Sequence, residues 1–275
     1  MPELPEVETV RRDLHHLVVG RRIEHVDATG ARTARRTSRE AVQDGLVGRT
    51  IIDTARRGKY LLASLDDDHT LMIHLRMSGQ LRLGPAALPI EPHTHVRMRL
   101  DDGNELRFVD PRTFGEVVVF DPATLAIEVP DLAALGPEPL AVTRRTFDHL
   151  LRSRRRQLKA LLTDQRVIAG IGNIYADEIA HAARVRSSRP GAELTGHEIG
   201  RLHTSMQTIL AAAIEARGST LSDAQYVDLG GLAGGYQEHH AVYGREDLPC
   251  LRCGRPIRRV AQGGRSTYFC PSCQR

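Results

Sequence analysis

The 275-residue chain is almost devoid of lysine: 36 of its 38 basic residues are arginine, and only Lys59 and Lys159 are not. Arginine keeps its proton in proteins, whereas lysine is a compact, rotatable ammonium that can lose it. The two lysines are therefore candidates for work a guanidinium does not do. No apolar run approaches the ~18 residues of a membrane helix; the longest are pieces such as Val117–Phe120. The opening Met1-Pro2-Glu3-Leu4-Pro5-Glu6 is acidic and proline-broken, which excludes a secretory signal. Glycine and proline, 24 and 14 residues, are at ordinary frequency, so collagen-like and low-complexity chains are excluded as well. A soluble, cytoplasmic protein without membrane contact is expected, and its length suits about two domains. Charge adds one positive indication, because a net +4 and a pI near 9.1 suit a polyanionic partner.

Cysteine is absent until residue 250. All four then fall in Cys250-Leu-Arg-Cys253 and, after sixteen residues, Cys270-Pro-Ser-Cys273. In a cytoplasmic chain two such knuckles are a metal pattern rather than a disulfide framework. Four thiolates saturate tetrahedral Zn2+ and leave no open position, so one structural zinc is expected and it activates no water. The spacer has the length of a β-hairpin and carries Arg255, Arg258, Arg259 and Arg265 against no acid, a basic finger. So small a unit lacks a core of its own, and metal binding can supply on the order of 10 kcal/mol.

The first element reads as a helix from Pro5 to Gly20, with Val7, Val10, Leu14 and Leu17 at helical spacing. Eight short alternating or β-branched runs follow between Arg22 and Phe120, with turn signals such as Asp101-Asp102-Gly103-Asn104 between them. Many short antiparallel strands imply a sandwich or barrel. Proline and glycine mark residues 129–143 as a linker. Helical patterning then runs from Phe147 to about Ala216, interrupted at Gly170-Ile-Gly172-Asn173, and Leu229–Gly235 reads as a loop. The expected fold is α+β and multidomain: an N-terminal helix with an antiparallel β-sandwich over 1–128, the linker, a helical domain over 144–240 and a β-hairpin zinc finger over 241–275.

Removal of Met1 would expose Pro2 as a secondary amine, a Schiff-base nucleophile with a pKa below that of lysine. Glu3 and Glu6 lie beside it, where one carboxyl can move protons and the other orient or polarise. On spacing alone, Pro2 and Pro5 merely start a helix and the acids complement its dipole.

A set of blocks decides between these. Met1-Pro2-Glu3-Leu4-Pro5-Glu6-Val7-Glu8, Arg57-Gly58-Lys59-Tyr60-Leu61, His74-Leu75-Arg76-Met77-Ser78-Gly79, Asp110-Pro111-Arg112-Thr113-Phe114-Gly115, Gly170-Ile171-Gly172-Asn173-Ile174-Tyr175-Ala176-Asp177-Glu178, Tyr243-Gly244-Arg245, Gly264-Arg265-Ser266-Thr267 and Cys270-Pro271-Ser272-Cys273-Gln274 stand in one order along the chain. As an ordered set they resemble the bacterial formamidopyrimidine-DNA glycosylase family, whose helical domain is a helix–two-turns–helix. The resemblance implies a bifunctional DNA glycosylase/AP lyase that removes oxidised purines from damaged double-stranded DNA in base excision repair, acting as a monomer.

By the same resemblance, Pro2 attacks C1′ of a nucleotide turned out of the duplex and leaves an iminium that permits β- and δ-elimination. Glu3 is the proton shuttle, Glu6 a supporting carboxylate and Lys59 a phosphate-holding assistant to β-elimination. Arg265 assists δ-elimination and grips a phosphate. Met77, Arg112 and Phe114 fill the hole left by the extruded nucleotide, apolar wedges with a guanidinium for the orphaned base. His74, His93 and Asn173 are implied phosphate contacts, and Lys159, in the basic run from Arg152, joins the expected DNA contacts. A loop from Ser219 and Thr220 to Tyr236 is expected to read the damaged base.

Two departures adjoin these positions. Arg76 stands where many members carry glycine, and Thr113 where a second basic residue is common. Two rival readings remain: an endonuclease VIII-like enzyme for oxidised pyrimidines, and a DNA-binding protein of the same fold without catalysis. Leu4 and the length of the Ser219–Tyr236 loop favour the purine branch, and the set Pro2, Glu3, Glu6 and Lys59 argues against a mere binder.

Overall fold

The computed structural model describes residues 1–221 and 226–275. They form two compact units, Met1–Ala134 with Ala216–Gly235, and Leu135–Glu215 with Tyr236–Arg275. Residues 216–235, which sequence patterning groups with the helical module, thus pack with the first unit. Part of the expected base-reading loop, residues 222–225, lies outside the described residues.

In the first unit α1 (Leu4–Val18) begins where Pro5 suits a first turn, and Val7, Val10, Leu14 and Val18 face the core. The eight expected strands all form: β1 (Ile23–Ala28), β2 (Ile51–Arg57), β3 (Tyr60–Leu65), β4 (Thr70–His74), β5 (Gln80–Pro85), β6 (Thr94–Leu100), β7 (Asn104–Val109) and β8 (Glu116–Phe120). They build two antiparallel four-stranded sheets, ordered β1-β6-β7-β5 and β2-β3-β4-β8. The inward positions, among them Val26, Leu61, Ile73, Leu81, Val96 and Phe108, share one core with the apolar face of α1. A helix the strand-like patterning does not announce, α2 (Arg39–Leu46), is capped by the Ser38 hydroxyl and buries only Val42 and Leu46. Two single turns, α3 (Leu125–Glu128) and α4 (Pro130–Ala133), end this stretch.

The second unit holds α5 (Arg144–Arg152), α6 (Leu158–Leu162), α7 (Asn173–Ala182) and α8 (Gly196–Glu215). Gly170 (φ +88°) makes the turn that stops one segment, and α7 restarts behind Gly172 as the sequence break suggests. The apolar residues of α7 are buried against α8, including Tyr175 and Ile179. At the end of the chain β9 (Arg258–Gln262) and β10 (Arg265–Phe269) pair antiparallel. Gly263 and Gly264, both at positive φ, supply the two-residue turn that such strand twist prefers. Among the described residues no helix is long and apolar enough to cross a membrane.

Candidate active site

The start of α1 is a closed polar knot. Pro2 is buried, and Glu3 and Glu6 are each 2% exposed. One carboxylate oxygen of Glu6 accepts the Glu3 backbone N–H at 2.8 Å and the other accepts Ser219 N–H at 2.7 Å. Glu6 therefore ties the residues around Pro2 to the first turn of the 216–235 segment. Gly218 makes this approach possible. Its φ is +79°, and a Cβ there would stand 2.8 Å from Glu6 Cγ. Nothing in the sequence marks Gly218 beyond its being a glycine.

The same segment is closed at its neck. Thr220 Oγ1 donates to Tyr226 O at 2.8 Å and accepts Gly234 N–H at 2.9 Å. Arg217 reaches Asp13 on α1 and Asp228, both at 2.6 Å. Ser219 and Thr220 thus sit with the α1 knot, whereas Tyr236 falls in the other unit, its ring tilted against that of Tyr175 with centroids 5.9 Å apart.

Lys59 lies at the turn between β2 and β3 and is 4% exposed. Its neighbour Tyr60 packs edge-on against His74 with ring centroids 4.3 Å apart. Burial, then the nearby Arg76 and Lys59 charges, hold His74 well below the usual histidine range. Its Nδ1 accepts the Arg76 backbone N–H at 2.9 Å, which leaves the proton on Nε2. His74 is a neutral donor at neutral pH.

Met77 and the pair Arg112 and Phe114 sit on two neighbouring turns with one buried carboxylate between them. Asp110, fully buried, accepts Ser78 Oγ–H at 2.6 Å, Gly115 N–H at 2.7 Å and Arg112 N–H at 3.2 Å. Met77 is half-buried, while Arg112 and Phe114 are exposed, the guanidinium 5.1 Å from the ring centroid. Asp110 stands in one of the family-like blocks without a role attached to it. An Asp that satisfies its own following N–H groups is the available signal. Its main chain also accepts His95 Nε2–H at 2.9 Å and bonds to His93 O, placing exposed His93 (φ +65°) beside the same turn.

Both departures occupy left-handed backbone, Arg76 at φ +54° and Thr113 at φ +57°. Glycine suits such positions because it has no Cβ to clash. Arg76 offsets this with its side chain, which donates to Glu116 at 2.6 and 3.1 Å. Glu116, fully buried on β8, also takes Arg35 and Arg36. Burial alone would raise this carboxyl, but Arg36 and Arg76 bring it below the usual glutamate range.

In the second unit two expected residues converge on one carbonyl, beside a third, Arg265. Ser266 O accepts Lys159 Nζ–H at 2.8 Å and Asn173 Nδ2–H at 3.0 Å. Lys159 is only 3% exposed and pairs with fully buried Asp177 at 2.7 Å. Exposed Arg265, one residue before Ser266, donates to Thr163 Oγ1 at 2.7 Å. Thr163 lies in no family-like block, since a short polar side chain in a helical stretch carries no signal by itself, and Asp177 stands in one without a role attached to it.

The four cysteine sulfurs lie within 4.8 Å of one another, Cys253 and Cys270 at 3.5 Å. A tetrahedron of ~2.3 Å Zn–S bonds has edges of about 3.8 Å, so the cluster fits zinc. Cys250, Cys253, Cys270 and Cys273 would hold the ion. The small core beneath them consists of Val242 and Ile257 with Cys250 and Cys270, and partly buried Tyr268 and Cys273 pack against it. α7 supplies further anchorage: Glu178 accepts the N–H groups of Ala241, Val242 and Tyr243 at 2.8–2.9 Å, and Asp177 accepts Tyr268 N–H at 2.9 Å.

Family models match most of the chain. The formamidopyrimidine-DNA glycosylase N-terminal domain covers residues 1–117, the helix–two-turns–helix domain of the same enzymes residues 135–225, and a zinc finger found in these glycosylases and isoleucyl-tRNA synthetase residues 247–275. A formamidopyrimidine-DNA glycosylase of Desulforamulus reducens is 44% identical over 278 residues, covering 100% of this chain and 99% of the relative. Among solved structures, the MutM (Fpg) protein of Thermus thermophilus superposes with a TM-score of 0.90 at 44% identity, covering 99% and 98% of the two chains. A MutM protein in complex with DNA containing carbocyclic 8-oxo-G superposes at 0.91 with 36% identity over 100% of both. The three domain matches in order, and the relatives matched end to end, leave one assignment: the chain belongs to the formamidopyrimidine-DNA glycosylase family.

Proposed function

We propose that the protein excises oxidised purines, 8-oxoguanine and formamidopyrimidines, from damaged duplex DNA and then cleaves the strand, as a monomeric base-excision enzyme of the cytoplasm. The observation that carries this reading is the knot at the start of α1, where Pro2 and Glu3 are buried and Glu6 holds both Glu3 and Ser219. With Met1 removed, the Pro2 nitrogen attacks C1′ and the base leaves, taking up a proton. The resulting iminium acidifies the adjacent sugar C–H bonds, so the 3′ phosphate departs by β-elimination and the 5′ phosphate by δ-elimination. Glu3 moves protons in these steps and Glu6 keeps it oriented. Lys59 holds a phosphate and assists the first elimination, Arg265 the second.

Met77, Arg112 and Phe114 fill the space of the extruded nucleotide. His74, His93, Asn173 and the basic finger contact phosphates. The segment from Ser219 and Thr220 to Tyr236 reads the base. The functional modules are residues 1–128, 144–240 and 241–275, joined by the 129–143 linker. Zinc, held by the four cysteines, supplies a fixed scaffold and no reacting group.

Borohydride trapping tests the reading. A duplex with one 8-oxoguanine opposite cytosine should give a covalent complex through Pro2, and a thymine-glycol duplex should give much less. The Pro2→Gly variant should lose most trapping on both. Trapping on thymine glycol alone would move the activity to oxidised pyrimidines, and DNA binding without any trapping would leave a binding protein.

A further inference from the structure

We infer that Lys159 and Thr163, one turn apart at α6, are positioning residues for Arg265. The inference rests on the role proposed above for Arg265 in the second elimination. Thr163 Oγ1 donates to Lys159 O at 2.9 Å, which spends its hydrogen on the helix and leaves its lone pairs facing the Arg265 Nη1–H at 2.7 Å. The hydroxyl therefore orients the guanidinium and carries no charge of its own. Among the described residues no carboxylate pairs with Arg265, in contrast to Arg35, Arg36 and Arg76, whose charge is taken up by Glu116. A carboxylate at position 163 would hold Arg265 equally well and cancel the charge a phosphate needs.

Lys159 sets the other coordinate. Its ammonium, pinned by Asp177, grips the carbonyl of Ser266, the residue that follows Arg265, and Asn173 grips the same oxygen. Asp177 in turn accepts Tyr268 N–H two residues farther along β10. The hairpin edge is thus fastened at 266 and 268, and the arginine projects from a main chain with little freedom. A single ammonium bridges a carboxylate and a carbonyl here, a role suited to the compact rotatable cation of lysine rather than to a planar guanidinium. That gives the second surviving lysine a reason to be lysine, one that involves no contact with DNA.

The test uses full-length enzyme and a duplex with a preformed abasic site. Products of β-elimination alone, with a 3′ unsaturated aldehyde, separate on a gel from the one-nucleotide gap of combined β- and δ-elimination. Thr163→Val should raise the β-only fraction several-fold, in the direction set by Arg265→Ala, while borohydride trapping proceeds at the wild-type rate. Lys159→Met should raise it too, and Lys159→Arg should not restore it. Because the Lys159 ammonium is engaged by Asp177 and the Ser266 carbonyl, its loss should leave the slope of log affinity against log salt unchanged, whereas loss of a phosphate contact lowers it by about one. Unchanged product partition in Thr163→Val, or a reduced salt slope in Lys159→Met without a change in partition, would overturn the inference. Wild-type enzyme that neither traps nor cleaves would instead remove the reaction itself.

Discussion

Single residues in this protein act mostly by holding other residues still. Gly218 is a strong case, since only a residue without Cβ accommodates both φ +79° and the 2.8 Å approach to Glu6. Gly218→Ala should cost about 1–3 kcal/mol of stability through backbone strain and should also displace Glu6. Urea midpoints and single-turnover base excision would both show it, excision falling more than affinity. Glu116 gathers three guanidiniums on a fully buried carboxylate. Glu116→Gln leaves those charges facing one another and should destabilise by about 3 kcal/mol, read from chemical denaturation. Arg76→Gly removes one of the three but also relieves φ +54°, so its net effect should stay under about 1 kcal/mol. The family-like blocks named Arg76, and the backbone dihedral supplies the physical meaning of the departure.

At the scale of elements, helix ends and one hairpin do the work that periodicity cannot display. The entry to α8 is a reciprocal cap: Glu198 N–H donates to Thr195 Oγ1 at 3.3 Å and Thr195 N–H donates to Glu198 Oε2 at 2.8 Å. Burial works against the Glu198 anion, but Arg189 and Thr195 outweigh it and hold its carboxyl at about 2. The folded value lies below the ordinary 4.5, so this stabilisation is full above 4.5 and disappears as pH falls through about 2. Thermal unfolding of wild type and Glu198→Gln should accordingly differ at pH 6 and converge toward pH 2. The zinc hairpin has so little core that chelation should melt it, lowering DNA affinity while the β-sheet signal of the sandwich persists in circular dichroism. Helix α1 and the eight strands were legible from their apolar patterning, and the hairpin from the length of the spacer between its cysteine pairs. Short α2 was not, since eight residues with two buried side chains make too weak a pattern.

The whole molecule is a basic chain whose arginines are divided between internal carboxylates and free surface. Binding to duplex DNA should weaken steeply with salt, log affinity falling linearly with a slope of several units as phosphate contacts release counterions; a flat response measured by anisotropy would contradict the phosphate-contact reading. Composition, the cysteine spacing and the ordered blocks were enough to determine the family, the three kinds of module and the zinc ligands. These are properties of residue type and local spacing, which a linear chain displays. What tertiary structure decided is which groups meet. It placed Asp110 between the turns of Met77 and Arg112, set Gly218 against Glu6, and brought Thr163 and Lys159 to Arg265 and Ser266 across roughly a hundred residues. Such contacts depend on how sheets and helices pack, and packing energy is shared among many apolar side chains, so no local pattern records the partner each polar group will find.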